Sequence, residues 1–358
     1  MEIATLIPSP EAIPVPSEWF GFLLTLTFML HLLFMNVMVG TGIISLCGHL
    51  RQNAGTCCLE KDISQKLTFI IAFTINLGVA PFLFLQVLYG QFIYVSSMIM
   101  AVYWLSVIIL LIIAYYSAYY YKFNFDRLHS ARTYFIGFTV LIFFVIAFLF
   151  TNNMTLMSKP ETWTVFFDNP RGTVLNLSDP SLFPRFLHFM TASAAVGGLF
   201  IALLWSLKQK KGIPGAEVYI ERGMKWFTYS TALQILIGSW FLISLPKEIM
   251  LLFMGRNTIY THTFIISLIL TVMTLVFGFY RKVRGAAISA LALVFSMILM
   301  RDMLRTAYLA PYFRLTDIPV IPQYSPMIIF FASFIGTAVV VIYVLRLGAG
   351  VKHENDSY

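Results

Sequence analysis

Three histidines lie within apolar stretches of the sequence, where an ionisable side chain is costly and calls for a function: His31, His188 and His262. Two imidazoles facing each other across a helical bundle can grip one iron from both sides, a low-spin electron-transfer arrangement. His188 follows Pro184 and Arg185, and the face below it carries Ala192, Ala195 and Gly198 or Leu199. Such small residues either leave room for a flat macrocycle or let two helices approach closely. His262 is placed at a similar depth in another segment of the same direction, so His188 and His262 form a candidate pair. His31 lies deeper, with Met35 and Met38 on its face, and on the residues alone it serves equally well as a packing or hydrogen-bonding group. His49, His129 and His353 fall in connecting stretches and read as solvated residues.

A second group is Met300-Arg301-Asp302-Met303-Leu304-Arg305. Arg301 and Arg305 can pair bidentately with carboxylates of a bound group. Asp302 and Arg305, three apart, can also satisfy each other. No residue is assigned as catalytic. Cys47, Cys57 and Cys58 fit no Cys-x-x-Cys-His pattern, which argues against covalently attached haem, and they form no metal site alone.

These residues must be positioned by membrane-spanning helices. Of the 358 residues, 59% are hydrophobic and 11% are charged, and mean hydropathy is +0.82, so the solvent for most of the surface is lipid. The expected fold class is an all-α membrane protein, one integral membrane domain over 1–358, with about nine transmembrane helices. The spans are expected near 19–47, 66–91, 95–121, 133–157, 185–207, 223–245, 259–280, 285–309 and 326–347, each long enough to cross about 30 Å of hydrocarbon. The net charge of +8 does not indicate nucleic acid, because the basic residues gather in short connections. The even-side connections and the C-terminal tail hold 16 of the 24 lysines and arginines, from Arg51 to Lys352. The positive-inside rule then places the N-terminus outside and the C-terminus in the cytoplasm. A stretch over 158–184 is expected to form a folded loop on the outer face. No cleavable signal peptide is expected. The second span carries Asn76, Gln86 and Gln91 without an acid, which leaves no evident proton relay, and Gly78-Val79-Ala80-Pro81 should bend it.

Four stretches resemble the haem-bearing subunit I family of the cytochrome bd quinol oxidases. Leu26-Thr27-Phe28-Met29-Leu30-His31-Leu32-Leu33-Phe34 is similar to that family's Leu-Thr-x-Met-x-His-x-Leu-Phe, whose histidine is a haem ligand. Gly78 to Pro81 resembles its Gly-x-x-x-Ala-Pro region. Arg185-Phe186-Leu187-His188-Phe189 with Thr191-Ala192-Ser193 resembles the segment around the low-spin haem histidine. Asp302-Met303-Leu304-Arg305 resembles its Glu-x-Gly-Arg.

The resemblance implies two four-helix bundles plus one peripheral helix. It also implies haem b, one or two groups held non-covalently, with His31, His188 and His262 as metal ligands and Arg301, Asp302 and Arg305 beside the cofactor. The departures are the family's acidic pair after Ala-Pro, its long quinol-binding loop, for which only Pro246 to Thr258 remains, and its methionine ligand, in whose place His262 stands. The implied function is a b-type cytochrome subunit in a bacterial inner membrane. It would pass electrons between quinol, menaquinone included, and a periplasmic multihaem c-type cytochrome. A terminal oxidase that reduces oxygen and a non-haem transporter or scaffold subunit are the alternatives.

Overall fold

The computed structural model describes residues 3–51 and 57–355. The expected pair Cys57 and Cys58 falls at the edge of this range, and neither the side chain of Cys57 nor that of His353 lies among the described ones.

Nine helices among the described residues are long and apolar enough to cross a membrane. They are α1 (Ser17–Arg51), α2 (Cys57–Ile99), α3 (Ala101–Phe123), α4 (Arg132–Ser158), α5 (Leu182–Lys210), α6 (Ala216–Ile243), α7 (Thr258–Phe279), α8 (Val283–Leu309) and α9 (Tyr324–Asn355). Most exceed the expected spans, because helix continues beyond the apolar core wherever the backbone still bonds to itself. The 43 residues of α2 reach about 65 Å, twice the hydrocarbon thickness. The link between α2 and α3 shrinks to Met100. The residue of α2 whose backbone leaves the helical range is Tyr89 (φ −136°, ψ 30°), eight residues beyond the Pro81 where the bend is expected.

Helices α1 to α4 pack together as one bundle and α5 to α8 as a second, joined chiefly through α1 against α5. That seam is close because Gly40 and Gly197 have no side chains. A Cβ on Gly40 would stand 1.9 Å from the Ser193 carbonyl oxygen. Ser193 also donates to Asn36 Oδ1 at 2.8 Å across the seam, a buried polar contact that fixes its register. Helix α9 is exposed along nearly all of its described length and stands apart from both bundles.

The outer connections are structured. Residues 158–184 hold a 3₁₀ turn (Pro160–Thr164) and a short helix (Val165–Asp168), anchored by Trp163, whose indole donates to the Leu156 carbonyl at 2.8 Å. Asp179 is the hub of this cap. It meets Lys159 at 2.8 Å and accepts from the backbone and hydroxyl of Ser181, each at 2.8 Å. Asn152 of α4 accepts from the Asn176 backbone at 2.7 Å. Between α6 and α7 the chain forms a short helix (Lys247–Leu251) and a π-helical turn (Leu252–Arg256). Asn257 then caps α7 by accepting from Ile259 and Tyr260. The N-terminal segment is tied to the α8–α9 connection through Ile13, which donates to Pro319 and accepts from Ile321, both at 2.9 Å.

Candidate functional site

The candidate residues lie in the outer halves of α1, α5, α6 and α8, with His31 the deepest of them. On α5, Arg185 and His188 lie one turn apart, so both face the same neighbour. That neighbour is α6. Phe241 receives the Arg185 guanidinium at 5.2 Å and the His188 ring at 6.4 Å between centroids. Gly238 faces the imidazole, and a Cβ there would reach ordinary van der Waals contact with His188 Cε1 at 3.5 Å. Gln234 donates to the His188 backbone carbonyl at 2.8 Å, which leaves the ring free, and Nδ1 is buried without a partner.

A similar arrangement occurs between α8 and α1. Arg301 lies 4.4 Å over the Phe28 ring, and Phe28 lies 6.4 Å from His31. His31 is held from behind. Its Nδ1 stands 3.0 Å from the Thr74 carbonyl oxygen, an atom that only accepts, so Nδ1 carries the hydrogen and Nε2 keeps its lone pair. Gly78 permits this approach, because a Cβ there would come within 2.9 Å of the ring. Each histidine therefore sits below an arginine, with a phenylalanine between them.

Charge in this region is unbalanced. Arg305 donates to Asp302 at 2.8 Å and lies 4.3 Å over the Tyr89 ring, and Arg301 is 3.8 Å from the same carboxylate. Asp302 also accepts from the Thr25 hydroxyl at 3.4 Å. Arg301 further points one nitrogen at Met154 Sδ, 3.5 Å away, a weak acceptor. Arg185 lies within electrostatic reach of Arg301. Arg301 and Arg305 thus share Asp302, and the anion near Arg185 is Asp179, already committed to Lys159. Arg185 Nε, Arg305 Nε and Arg305 Nη1 are buried with no hydrogen-bond partner. Unpaired buried cationic donors are costly and call for an anion.

The structure does not bring His262 to His188. Helix α5 packs on α1, α4, α6 and α8, whereas α7 packs on α6 and α8. His262 is exposed on α7, and its Nδ1 is 2.8 Å from the Thr258 carbonyl one turn back in its own helix. The small residues below His188 also have a packing explanation. Gly198 meets α6 so closely that a Cβ on it would stand 2.6 Å from the Gly223 carbonyl oxygen.

Arg301, Asp302, Arg305, His31 and His188 do converge, through partners that sequence reasoning missed: Arg185, Phe28, Phe241, Thr74 and Tyr89. The spacing of Arg185 and His188 was a usable signal. The two phenylalanines carried none, because apolar helices hold many. Among the described residues no three His, Cys, Asp or Glu side chains cluster as a metal site.

No protein-family model matches the sequence, and no curated protein does. Among solved structures, one chain of the bd oxidase from Geobacillus thermodenitrificans is similar, with a TM-score of 0.71 at 12% sequence identity, over 92% of this chain and 98% of that one. The two chains share a fold. At that identity the likeness speaks for architecture, and it agrees with an all-α, multi-pass membrane protein of nine candidate spans.

Proposed function

We propose that this chain is a b-type cytochrome subunit of a quinol–cytochrome c oxidoreductase, holding non-covalent haem b with His31 and His188. The repeated arginine–phenylalanine–histidine neighbourhood, with cationic donors left unpaired inside a lipid-embedded bundle, carries this reading. When bound, a haem supplies a one-electron redox centre with carboxylates at its edge.

The residues fit such a group. Arg185, Arg301 and Arg305 offer donors that match carboxylates in geometry and sign. His31 Nε2 offers a lone pair, and the Thr74 carbonyl on the opposite nitrogen orients the ring and raises its basicity. His188 offers an imidazole with one nitrogen uncommitted. Phe28 and Phe241 hold each arginine at a fixed height above its histidine. His262, exposed on α7, is left out of this set.

In this reading, electrons arrive from a membrane quinol such as menaquinone and leave to a periplasmic multihaem c-type cytochrome in a bacterial inner membrane. The outer cap supports the docking half of the proposal. It is held rigidly by Asp179 and Trp163 yet exposes Val165, Phe167 and Leu177. A reduced-minus-oxidised spectrum of the purified complex, with solvent extraction of the pigment, tests the reading. A b-type band with extractable haem is the expected result, and a colourless protein would remove the proposal.

The fold shared with a bd oxidase chain favours a second reading, a terminal oxidase. Helix α2 carries Glu60 and Asp62 at its inner end, both ion-paired, and no acid above them. Oxygen uptake by the purified complex, inhibited by a haem ligand, separates the two.

A further inference from the structure

A cleft of about 230 Å³ opens between α2 and α3 in the outer half of the bundle. Phe82 and Trp104 form its aromatic wall, with ring centroids 5.9 Å apart, and Trp104 is braced edge-on against Phe150 at 5.0 Å. Gln86, Tyr94 and Ser97 bring an amide and two hydroxyls to the same cleft. Gln86 and Tyr94 are exposed toward the lipid zone, and neither makes a hydrogen bond within the described chain. In hydrocarbon an amide without a partner is costly, so its partner has to arrive from the membrane. Ser97 accepts from Asn153 at 3.3 Å, which leaves its own hydroxyl hydrogen to donate.

The cleft exists because of two features of α2. A Cβ on Gly90 would meet nothing within 4 Å, and the backbone departs from helical geometry next door at Tyr89. Tyr89 is buried and carries Arg305 on its ring, while Gln86 and Gly90 line the cleft. The same turn of α2 therefore lines the cleft with Gln86 and Gly90 and carries the Tyr89 ring under Arg305.

We infer that this cleft binds the head group of a membrane quinone. An aromatic slot with hydrogen-bond donors suits a flat ring bearing oxygens. At about 230 Å³ the cleft is smaller than the roughly 300–1,000 Å³ of pockets that enclose a whole ligand, so it takes a ring and leaves a lipid tail outside. The site lies away from the Pro246 to Thr258 connection, where the resembled family would place quinol. Its use as an electron entry rests on the haem reading above; its binding of quinone does not.

The test is photolabelling of the full-length protein in lipid nanodiscs with an azido-naphthoquinone carrying a short isoprenoid tail. The label is expected on peptides spanning 82–104, competed by excess unlabelled naphthoquinone. Gly90→Leu fills the cleft and should abolish labelling. Gln86→Leu removes the amide at nearly constant volume and should weaken binding about tenfold, as expected for the loss of hydrogen bonding worth about 1.4 kcal/mol. It remains informative should Gly90→Leu fail to fold. Label on other peptides, label that quinone does not compete (a groove for lipid acyl chains only), or full labelling of a folded Gly90→Leu protein would each overturn the site. The haem spectrum of the same samples separates the two claims: competed labelling of a colourless protein retires the haem reading and leaves this one standing.

Discussion

At the inner end of the bundle Glu60 is closed off from solvent and meets Arg222 at 3.1 Å, and its carboxylate fills the space that a Cβ on Gly48 would need. Asp62 beside it bridges Lys66 and Lys208, the latter at 2.9 Å. At the outer end Arg301 and Arg305 share Asp302 with Arg185 close to Arg301, and three nitrogens of Arg185 and Arg305 are buried with nothing to bond. Both regions put charge inside an apolar bundle. The inner one is balanced in charge, each carboxylate matched by a cation from a neighbouring helix although Glu60 Oε2 is buried without a hydrogen bond, and it ties α2, α5 and α6 together. The outer one is electrostatically incomplete and awaits an anion. Balanced charge marks a structural clamp, and a surplus of one sign marks a candidate binding site.

Breaking the outer region at its imidazole should have the largest effect. His188→Ala is expected to remove a low-spin b-type absorbance from the purified complex. His49→Ala, which loses the 2.7 Å contact with Tyr121 and ring packing on Phe125 at the inner end, should leave the spectrum intact. Equal spectral loss in both variants would erase the distinction between the two ends.

Stability should respond in the opposite sense. Arg222→Met strands the buried Glu60 carboxylate and is expected to cost about 3–5 kcal/mol, read as a lowered thermal midpoint in detergent. Arg301→Met in haem-free protein removes one of several like charges, so its midpoint should hold or rise. A fall as large as that of Arg222→Met would show that the outer cluster is also a clamp.

The outer cap supplies a pH test. Burial pushes the Asp179 carboxyl up, but the hydrogen bond and charge of Lys159 and the two hydrogen bonds from Ser181 outweigh it, and the group is held below the usual aspartate range. A depressed folded-state value contributes stability that is present above the unfolded value of about 3.9 and is lost as pH falls through the folded one. Limited proteolysis within 158–184 should therefore stay slow from neutral pH down through the ordinary carboxylate range and accelerate only below it. In Asp179→Asn the cut should be fast already at neutral pH, where Lys159 has lost its partner. Acceleration of the unsubstituted protein near pH 6 would contradict the arrangement.

The smallest effect belongs to the inner surface. Lys61 and Asp126 form an exposed pair at 2.7 Å, and Lys61→Ala should not shift the thermal midpoint measurably.

Much of the architecture was legible in the residues. Nine apolar runs match the nine candidate spanning helices among the described residues, because a segment that crosses hydrocarbon must satisfy its own backbone and helix is the local way to do so. Their ends were less legible: α2 begins well before the expected 66, since charged residues such as Glu60 and Lys61 continue a helix outside the apolar core. The types of the site residues were legible too. His31, His188, Arg301, Asp302 and Arg305 stand out as polar groups in apolar surroundings, and the structure brings them to one end of the molecule. The pairing of His188 with His262 was drawn from depth alone. Depth follows from counting residues along a helix, but facing depends on how each helix is rotated and which helix is its neighbour.

By itself the sequence determined that the chain lives in lipid, how often it crosses, and through its lysines and arginines which end faces the cytoplasm. Only the tertiary structure decided that α6 rather than α7 lies against His188, that Tyr89 and Phe28 lie under Arg305 and Arg301, and which polar atoms stay without partners. The reason is physical. Lipid treats every apolar face alike, so hydropathy carries no record of helix order or rotation. Those are set by close glycine contacts such as Gly40 with Gly197 and by buried hydrogen bonds such as Ser193 with Asn36, between residues far apart in the chain.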